Sequence, residues 1–299
     1  MYFPIAEIHA SPYLIFFTAL VVSFFTSMGG ISGAFLLLPF QMSFLGYTSP
    51  SVSATNHVFN IVAIPSGVYR YIREKRMLWP LAKTITIGTL PGVFIGAWIR
   101  IEYLPDPKNF KMFAGFVLLY IGWKLLKDIL TKNEKKEKSG QIKANGFHRL
   151  AVIEASIKRV IFTFGGKEYA YSTLPIYLIC FLVGIIGGIY GIGGGSIIAP
   201  ILVTIIGLPV YVIAGAALLG TFVTSISGVI FYQILAGIYP QVPVSPDWML
   251  GALFGSGGFV GMYLGARVQK FVRAVYIKGI LAFCILFISL KYILVFYNF

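Results

Sequence analysis

Acidic residues are the scarcest charged class in this sequence, ten Asp and Glu against 24 Lys and Arg in 299 residues. All ten fall in expected loops, in a polar linker or at the ends of apolar runs. Carriers driven by protons or sodium often hold a carboxylate at mid-membrane. The lack of one here disfavours a cation carrier and favours an anionic substrate. Cysteine is nearly absent as well. Cys180 and Cys284 lie in separate apolar runs, which argues against a disulfide framework and against a thiolate metal site. The three histidines, His9, His57 and His148, form no ligand-like cluster. With no His, Cys or carboxylate constellation inside an apolar run, a membrane enzyme is disfavoured, and no metal or cofactor is expected. Residues 1–11 lack the basic stretch of a cleavable leader, so the run from Pro12 reads as the first membrane span.

What fills the sequence instead is apolar: 58% of residues are hydrophobic, 11% are charged, and the mean hydropathy is +0.84. A soluble domain is nearer a quarter charged. Runs of about 20 apolar residues match a hydrocarbon core of roughly 30 Å, so the expectation is an all-α polytopic membrane protein. The net charge of +14 sits mostly in loops and one linker beside those runs. That is the address set by the positive-inside bias rather than a nucleic-acid surface. The runs are about Pro12–Met28, Ala34–Leu45, Val52–Tyr71, Leu81–Ile99 and Phe110–Leu130. After the linker come Leu174–Ile189, Ile197–Ile206, Val210–Leu235, Trp248–Ala266 and Ala274–Phe296. Within Leu150–Ser172, a hairpin (Val160–Phe164 turning at Gly165-Gly166 to Tyr169–Tyr171) and an interfacial helix over Ala151–Ile161 both fit the residues.

Six glycines crowd the stretch Gly187–Pro200, inside sequence apolar enough to enter a bilayer. Glycine costs roughly 1 kcal/mol per position in a helix interior relative to alanine, so a broken helix is expected here. Non-helical backbone at membrane depth needs protein or a watery cavity against it. The first half of the chain supplies a counterpart. At an offset of 161, Gly30 meets Gly191, Gly33 meets Gly194, Pro39 meets Pro200, Gly46 meets Gly207, Ser66-Gly67-Val68 meets Ser227-Gly228-Val229, and Tyr71 meets Tyr232. Leu and Ile matches arise easily by chance; Gly, Pro, Ser and Tyr at one offset do not. The chain therefore reads as two copies of one unit.

Loop charge orients the copies. Arg70–Arg76 is basic while its counterpart Ala236–Asp247 has no Lys or Arg. Ile101–Phe110 is balanced while its counterpart carries Arg267, Lys270 and Arg273. Opposite bias in equivalent loops fits inverted-topology repeats of about five segments each, with the short runs as tilted or broken helices; re-entrant short runs would instead give parallel halves of four. The expected organisation is a first membrane repeat (1–130), a basic cytoplasmic linker (131–172) and a second membrane repeat (173–299). Both termini then lie outside the cytoplasmic membrane.

Helix starts inside a bilayer aim N–H groups and a positive dipole end at the cavity, which suits an anion. The candidate binding residues at the two breaks are Gly30, Ser32 and Gly33, and Gly191, Gly193, Gly194, Gly195 and Ser196. Close helix packing is the competing explanation for these glycines. Asn56 and Asn60 on the third run, with Thr221 and Ser225 on its counterpart, join them because buried amides need partners. Arg70 and Lys83 are candidates for an entry vestibule, although snorkelling is the default for them and for Arg100. The partners expected are a small anion, the lipid bilayer and a coupling ion, proton or sodium, whose identity the residues leave open, as they do the oligomeric state.

The GIGGGSIIAP stretch, its partner GGISGAFLLLPF and the ATNHVF segment at Ala54–Phe59 resemble the sulfite exporter TauE/SafE family, which is similar to the toluene sulfonate uptake permeases. The resemblance extends over nearly the whole chain. Ser32 and Ala34 stand where the second copy has glycine. The resemblance implies a permease for small sulfur-containing anions such as sulfite, sulfoacetate or other organosulfonates. An anion channel or passive facilitator on the same scaffold is the alternative.

Overall fold

The computed structural model describes residues 1–135, 150–202, 207–208, 210–272 and 274–297. Among these it has ten α-helices. In the first half they are α1 (Pro12–Met28), α2 (Ala34–Ser43), α3 (Ser51–Arg73), α4 (Trp79–Glu102) and α5 (Pro107–Lys135). In the second half they are α6 (Thr173–Tyr190), α7 (Gly194–Ile201), α8 (Val210–Ile238), α9 (Trp248–Val268) and α10 (Ala274–Tyr297). Four of them, Trp79–Glu102, Thr173–Tyr190, Val212–Ile238 within α8 and Trp248–Val268, are long and apolar enough to cross a membrane by themselves; shorter apolar helices accompany them. The chain is a multi-pass membrane protein.

The short run expected at Ile197–Ile206 appears as α7, which is described only to Ile201; residues 203–206 lie outside the described residues. Helix α5 continues to Lys135, five residues beyond the end set by hydropathy. The rest of the charged stretch, 136–149, is outside the described residues. Pro65 does not break α3. The helix continues through it to Arg73, and Ser66 just beyond donates to the carbonyl of Phe259 on α9 at 2.7 Å.

Ahead of α6 stands a three-stranded antiparallel sheet, β3 (Ala151–Ala155), β4 (Arg159–Phe164) and β5 (Lys167–Ser172), in the order β3-β4-β5. Of the two local structures that fit the residues, the hairpin formed. Gly165 and Gly166 take positive φ at its turn, and the alternation of β4 buries Val160, Phe162 and Phe164. A second, two-stranded pair, β1 (Tyr2–Phe3) with β2 (Ile8–His9), precedes α1. It is tied to α9 where the Ala6 amide donates to the Asp247 carboxylate at 3.3 Å; the same carboxylate caps the N-terminus of α9 through Leu250 N.

The packing exchanges helices between the halves of the sequence. Helix α4 lies against α6 and α8, whereas α9 lies against α1 and α3. Glycines set the first pair and the third. A Cβ on Gly92 would overlap the Phe181 carbonyl and come within 2.7 Å of Ile185 N. On α9, Gly257, Gly261 and Gly265 meet the carbonyls of Phe16, Leu20 and Phe24 in the same way. Beyond the loop after α3 the offset between halves grows to 169, matching Trp79 with Trp248 and Gly88, Gly92 and Gly96 with Gly257, Gly261 and Gly265. Residue order in these contacts gives direction. Helices α4 and α6 are parallel, as are α1 and α9, while α3 crosses α8 antiparallel, with Asn60 beside Ser225, Gly67 beside Leu218 and Tyr71 beside Gly215.

Candidate functional site

The crossing of α3 and α8 gathers a cluster of buried polar side chains from both halves. Ser53, Asn56, His57, Asn60, Thr221, Thr224 and Ser225 are all fully buried there. Asn60, near the middle of α3, gathers both glycine breaks. Its Nδ2 donates to the Ile192 carbonyl at 3.2 Å and to Ser225 Oγ at 3.1 Å. Its Oδ1 accepts from Ser32 Oγ, and Ser32 Oγ in turn accepts from the Ala34 amide at 3.2 Å, an orphan donor at the start of α2. The loop after α1 and the loop after α6 thus meet on one side chain.

Two positive-φ glycines open these breaks at matching positions, Gly30 at 72° and Gly191 at 76°. A left-handed residue there turns the chain sharply at negligible steric cost only if it lacks a Cβ. Both also touch the opposite half: Gly30 lies against Ala214 at 2.6 Å and Gly191 against Ser53 at 2.6 Å, distances a Cβ would make. Gly194 lies against Thr89 of α4, and Gly195 against the Ala217 carbonyl and Thr221 Oγ1. Gly33 lies against Ser23 and Phe59. Gly193 faces Thr221 and Thr224 at 3.0 Å and is the N-cap of α7, a position with no side chain to accept that helix's first amides. These glycines are therefore close-packing positions whatever else they do. Ser196 belongs to α7, but its side chain is outside the described ones.

Other expected residues make different contacts. Asn56 Oδ1 accepts from Gln41 Nε2 of α2 at 2.8 Å, tying α2 to α3. Thr221 Oγ1 bonds back to Ala217 O of its own helix at 2.9 Å. Arg70 pairs with Glu74 at 2.5 Å beside Arg76, which also pairs with Glu74 at 2.5 Å. Lys83 is exposed on α4. Neither Arg70 nor Lys83 reaches the centre. Arg100 departs from the snorkelling expected of it, since it is fully buried, with its Nη1 donating to the Leu104 carbonyl and Phe110 stacked 3.8 Å away.

His57 is the centre's unforeseen member. It is fully buried one helical turn before Asn60, so both face α8. Its Nδ1 shares a hydrogen bond with Ser225 Oγ at 3.2 Å, and its Nε2 has no partner. The signal was in the ATNHVF segment and the Asn60 that follows it: a histidine three residues before a buried asparagine on one helix face. Tyr71 and Tyr232, matched by the 161 offset, make matching bonds, Tyr71 Oη to the Ser27 carbonyl and Tyr232 Oη to the Gly188 carbonyl, each at 3.2 Å. Among the described residues, no group of three or more His, Cys, Asp and Glu stands close enough to hold a metal.

Comparison with known proteins agrees with the resemblance. The family described as Sulfite exporter TauE/SafE matches residues 15–292. The chain is 24% identical over 256 residues to the probable membrane transporter protein YunE of Bacillus subtilis (strain 168), covering 82% of this chain and 83% of that one. A shorter match, 29% over 99 residues, joins it to the probable membrane transporter protein YdhB of the same organism, covering 33% and 37%. No solved structure matches the chain.

Proposed function

Because this chain belongs to the sulfite exporter TauE/SafE family of membrane transporters, we propose that it carries a small sulfur-containing anion such as sulfite, sulfoacetate or another organosulfonate. The anion binds where α3 crosses α8. Transport proceeds by alternating access between two inverted repeats, 1–130 and 173–299, joined by a cytoplasmic linker, with both termini outside.

One observation carries the reading: Asn60 bonds at once to Ser32 in the first break, to Ile192 in the second and to Ser225 on α8. An amide and hydroxyls that now satisfy each other can turn to an anion's oxygens if the helices part, and no carboxylate is among the described residues bonded to Asn60. The antiparallel crossing of α3 and α8, which match at offset 161, supports the inversion. A helix that runs opposite to its own counterpart is what a two-fold axis in the membrane plane produces. The glycines shape this site by letting the two breaks approach, while Ser32, His57, Asn60 and Ser225 supply its polar atoms.

Uptake of labelled sulfite into proteoliposomes, with and without an imposed proton or sodium gradient, tests the proposal. Saturable uptake that a gradient drives above equilibrium is expected of a carrier. Flux that stays linear with concentration and follows only the membrane potential would contradict it and mark a passive facilitator.

A further inference from the structure

We infer that Arg100 is a second anion subsite, flanking the central one, that grips two oxygens of an oxyanion side-on. The inference rests on the anion-transport reading but concerns residues that reading does not use. Arg100 closes the last turn of α4 and is completely buried. Its Nη1 is used on the Leu104 carbonyl and one face of the guanidinium is covered by Phe110 of α5. Its Nε and Nη2 are buried with no hydrogen-bond partner. Those two N–H groups are the parallel pair on one guanidinium edge, the edge that takes two oxygens of a carboxylate, sulfonate or phosphate. Arg70 and Arg76, by contrast, pair with Glu74 at the far end of α3. Glu102, two residues on, is exposed and engaged by Tyr239 at 2.8 Å. A buried guanidinium without a counter-charge is a costly arrangement, and an anion removes the cost.

The other half of the molecule supplies an internal comparison. At offset 169 the counterpart of Arg100 is Gln269, likewise fully buried. Gln269 is satisfied by its surroundings: Oε1 accepts from Tyr71 at 3.0 Å and Arg76 at 2.9 Å, and Nε2 donates to the Met28 carbonyl at 2.7 Å. The structural task of the position, bracing the end of α4 or α9 beside the paired tyrosine, is thus met by a neutral amide. Arg100 has the matching neighbour, Tyr232, within electrostatic reach. Tyr232 is bonded to the Gly188 carbonyl, and Ser53 to that of Ile189, both in the last turn of α6. Arg100 therefore stands beside the second glycine break, at the end of α4 away from the basic loop. An anion passing between that face and Asn60 meets it.

The test is anion-dependent thermal stabilisation of the purified full-length protein, titrating sulfite, methanesulfonate and phosphate against chloride at constant ionic strength. Arg100→Gln, which copies the residue tolerated at the matching position, is expected to fold and to weaken the anion's half-maximal concentration by about tenfold or more. Arg100→Lys keeps the charge without the fork and is expected to fall between. Gln269→Ala is expected to lower the basal melting temperature but leave the anion-dependent increment intact. If Arg100→Gln keeps the wild-type increment while Asn60→Ala loses it, Arg100 is a structural brace and this inference fails while the transport reading stands. If phosphate alone stabilises, and through Arg100, the subsite stands and the sulfur-anion reading fails. If no oxyanion stabilises the wild type, the subsite is overturned.

Discussion

Asn60 shows how a single side chain ties distant parts of the chain together. Replacing it with alanine removes a donor from the Ile192 carbonyl and an acceptor from Ser32, and each buried hydrogen bond lost costs about 0.5–1.5 kcal/mol. Asn60→Ala is therefore expected to lower the melting temperature modestly but to weaken anion binding more, which melts and binding titrations on one preparation will compare. Removing the hydroxyl in Tyr232→Phe frees the Gly188 carbonyl and is expected to cost about 1 kcal/mol; Tyr71→Phe removes the matching bond and the bond to Gln269 as well, and is expected to cost more. Denaturation of both variants side by side checks the order. The need of Asn60 for partners was legible in the sequence, because an amide inside an apolar run demands them. Arg100 was not. An arginine at the end of a span reads the same whether it snorkels or is buried, and only the approach of Phe110 from α5 decides. His57 was missed because it was weighed as a metal ligand rather than as a neighbour of Asn60.

At the scale of elements, glycine is the residue that brings helices into backbone contact. Gly261→Ala would drive a methyl into the Leu20 carbonyl and is expected to destabilise the α1–α9 pair by about 1–3 kcal/mol. Gly237→Ala, near the end of α8, has nothing within 4 Å of its new methyl and is expected to be neutral or stabilising by up to about 1 kcal/mol. Thermal unfolding of the two variants side by side is the check. Gly194→Leu is a test of packing more than of binding, since Thr89 already fills the space. The apolar runs gave nearly every helix in the right place. Their pairing was hidden, because α4 and α9 leave their own halves, and only the Gly88-Gly92-Gly96 and Gly257-Gly261-Gly265 rows, at a second offset, carry that information. The hairpin over Val160–Tyr171 was legible only as one of two alternatives, since so short a stretch also suits an interfacial helix, and the strand Ala151–Ala155 was not legible at all.

For the whole molecule, the antiparallel crossing of α3 and α8 and the distribution of Lys and Arg point to the same orientation. Helices α3 and α9 run to one face, where Arg70–Arg76 and Arg267 collect, and the loop after α8 reaches the opposite face beside Glu102. Cysteines placed at the exposed positions Lys75 and Gln241 are expected to differ in intact cells. A membrane-impermeant maleimide should label Gln241→Cys, and should label Lys75→Cys only after lysis; equal labelling would refute the inverted arrangement.

The measurement closest to the central claim is the concentration dependence of labelled sulfite uptake by proteoliposomes holding equal amounts of folded wild type or Asn60→Ala. The account predicts saturable uptake in both, with the variant's KM raised about tenfold or more, the loss set by one strong hydrogen bond to an anion. An unchanged KM, with uptake falling only in proportion to folded protein, would contradict it and leave Asn60 a structural link between the two breaks.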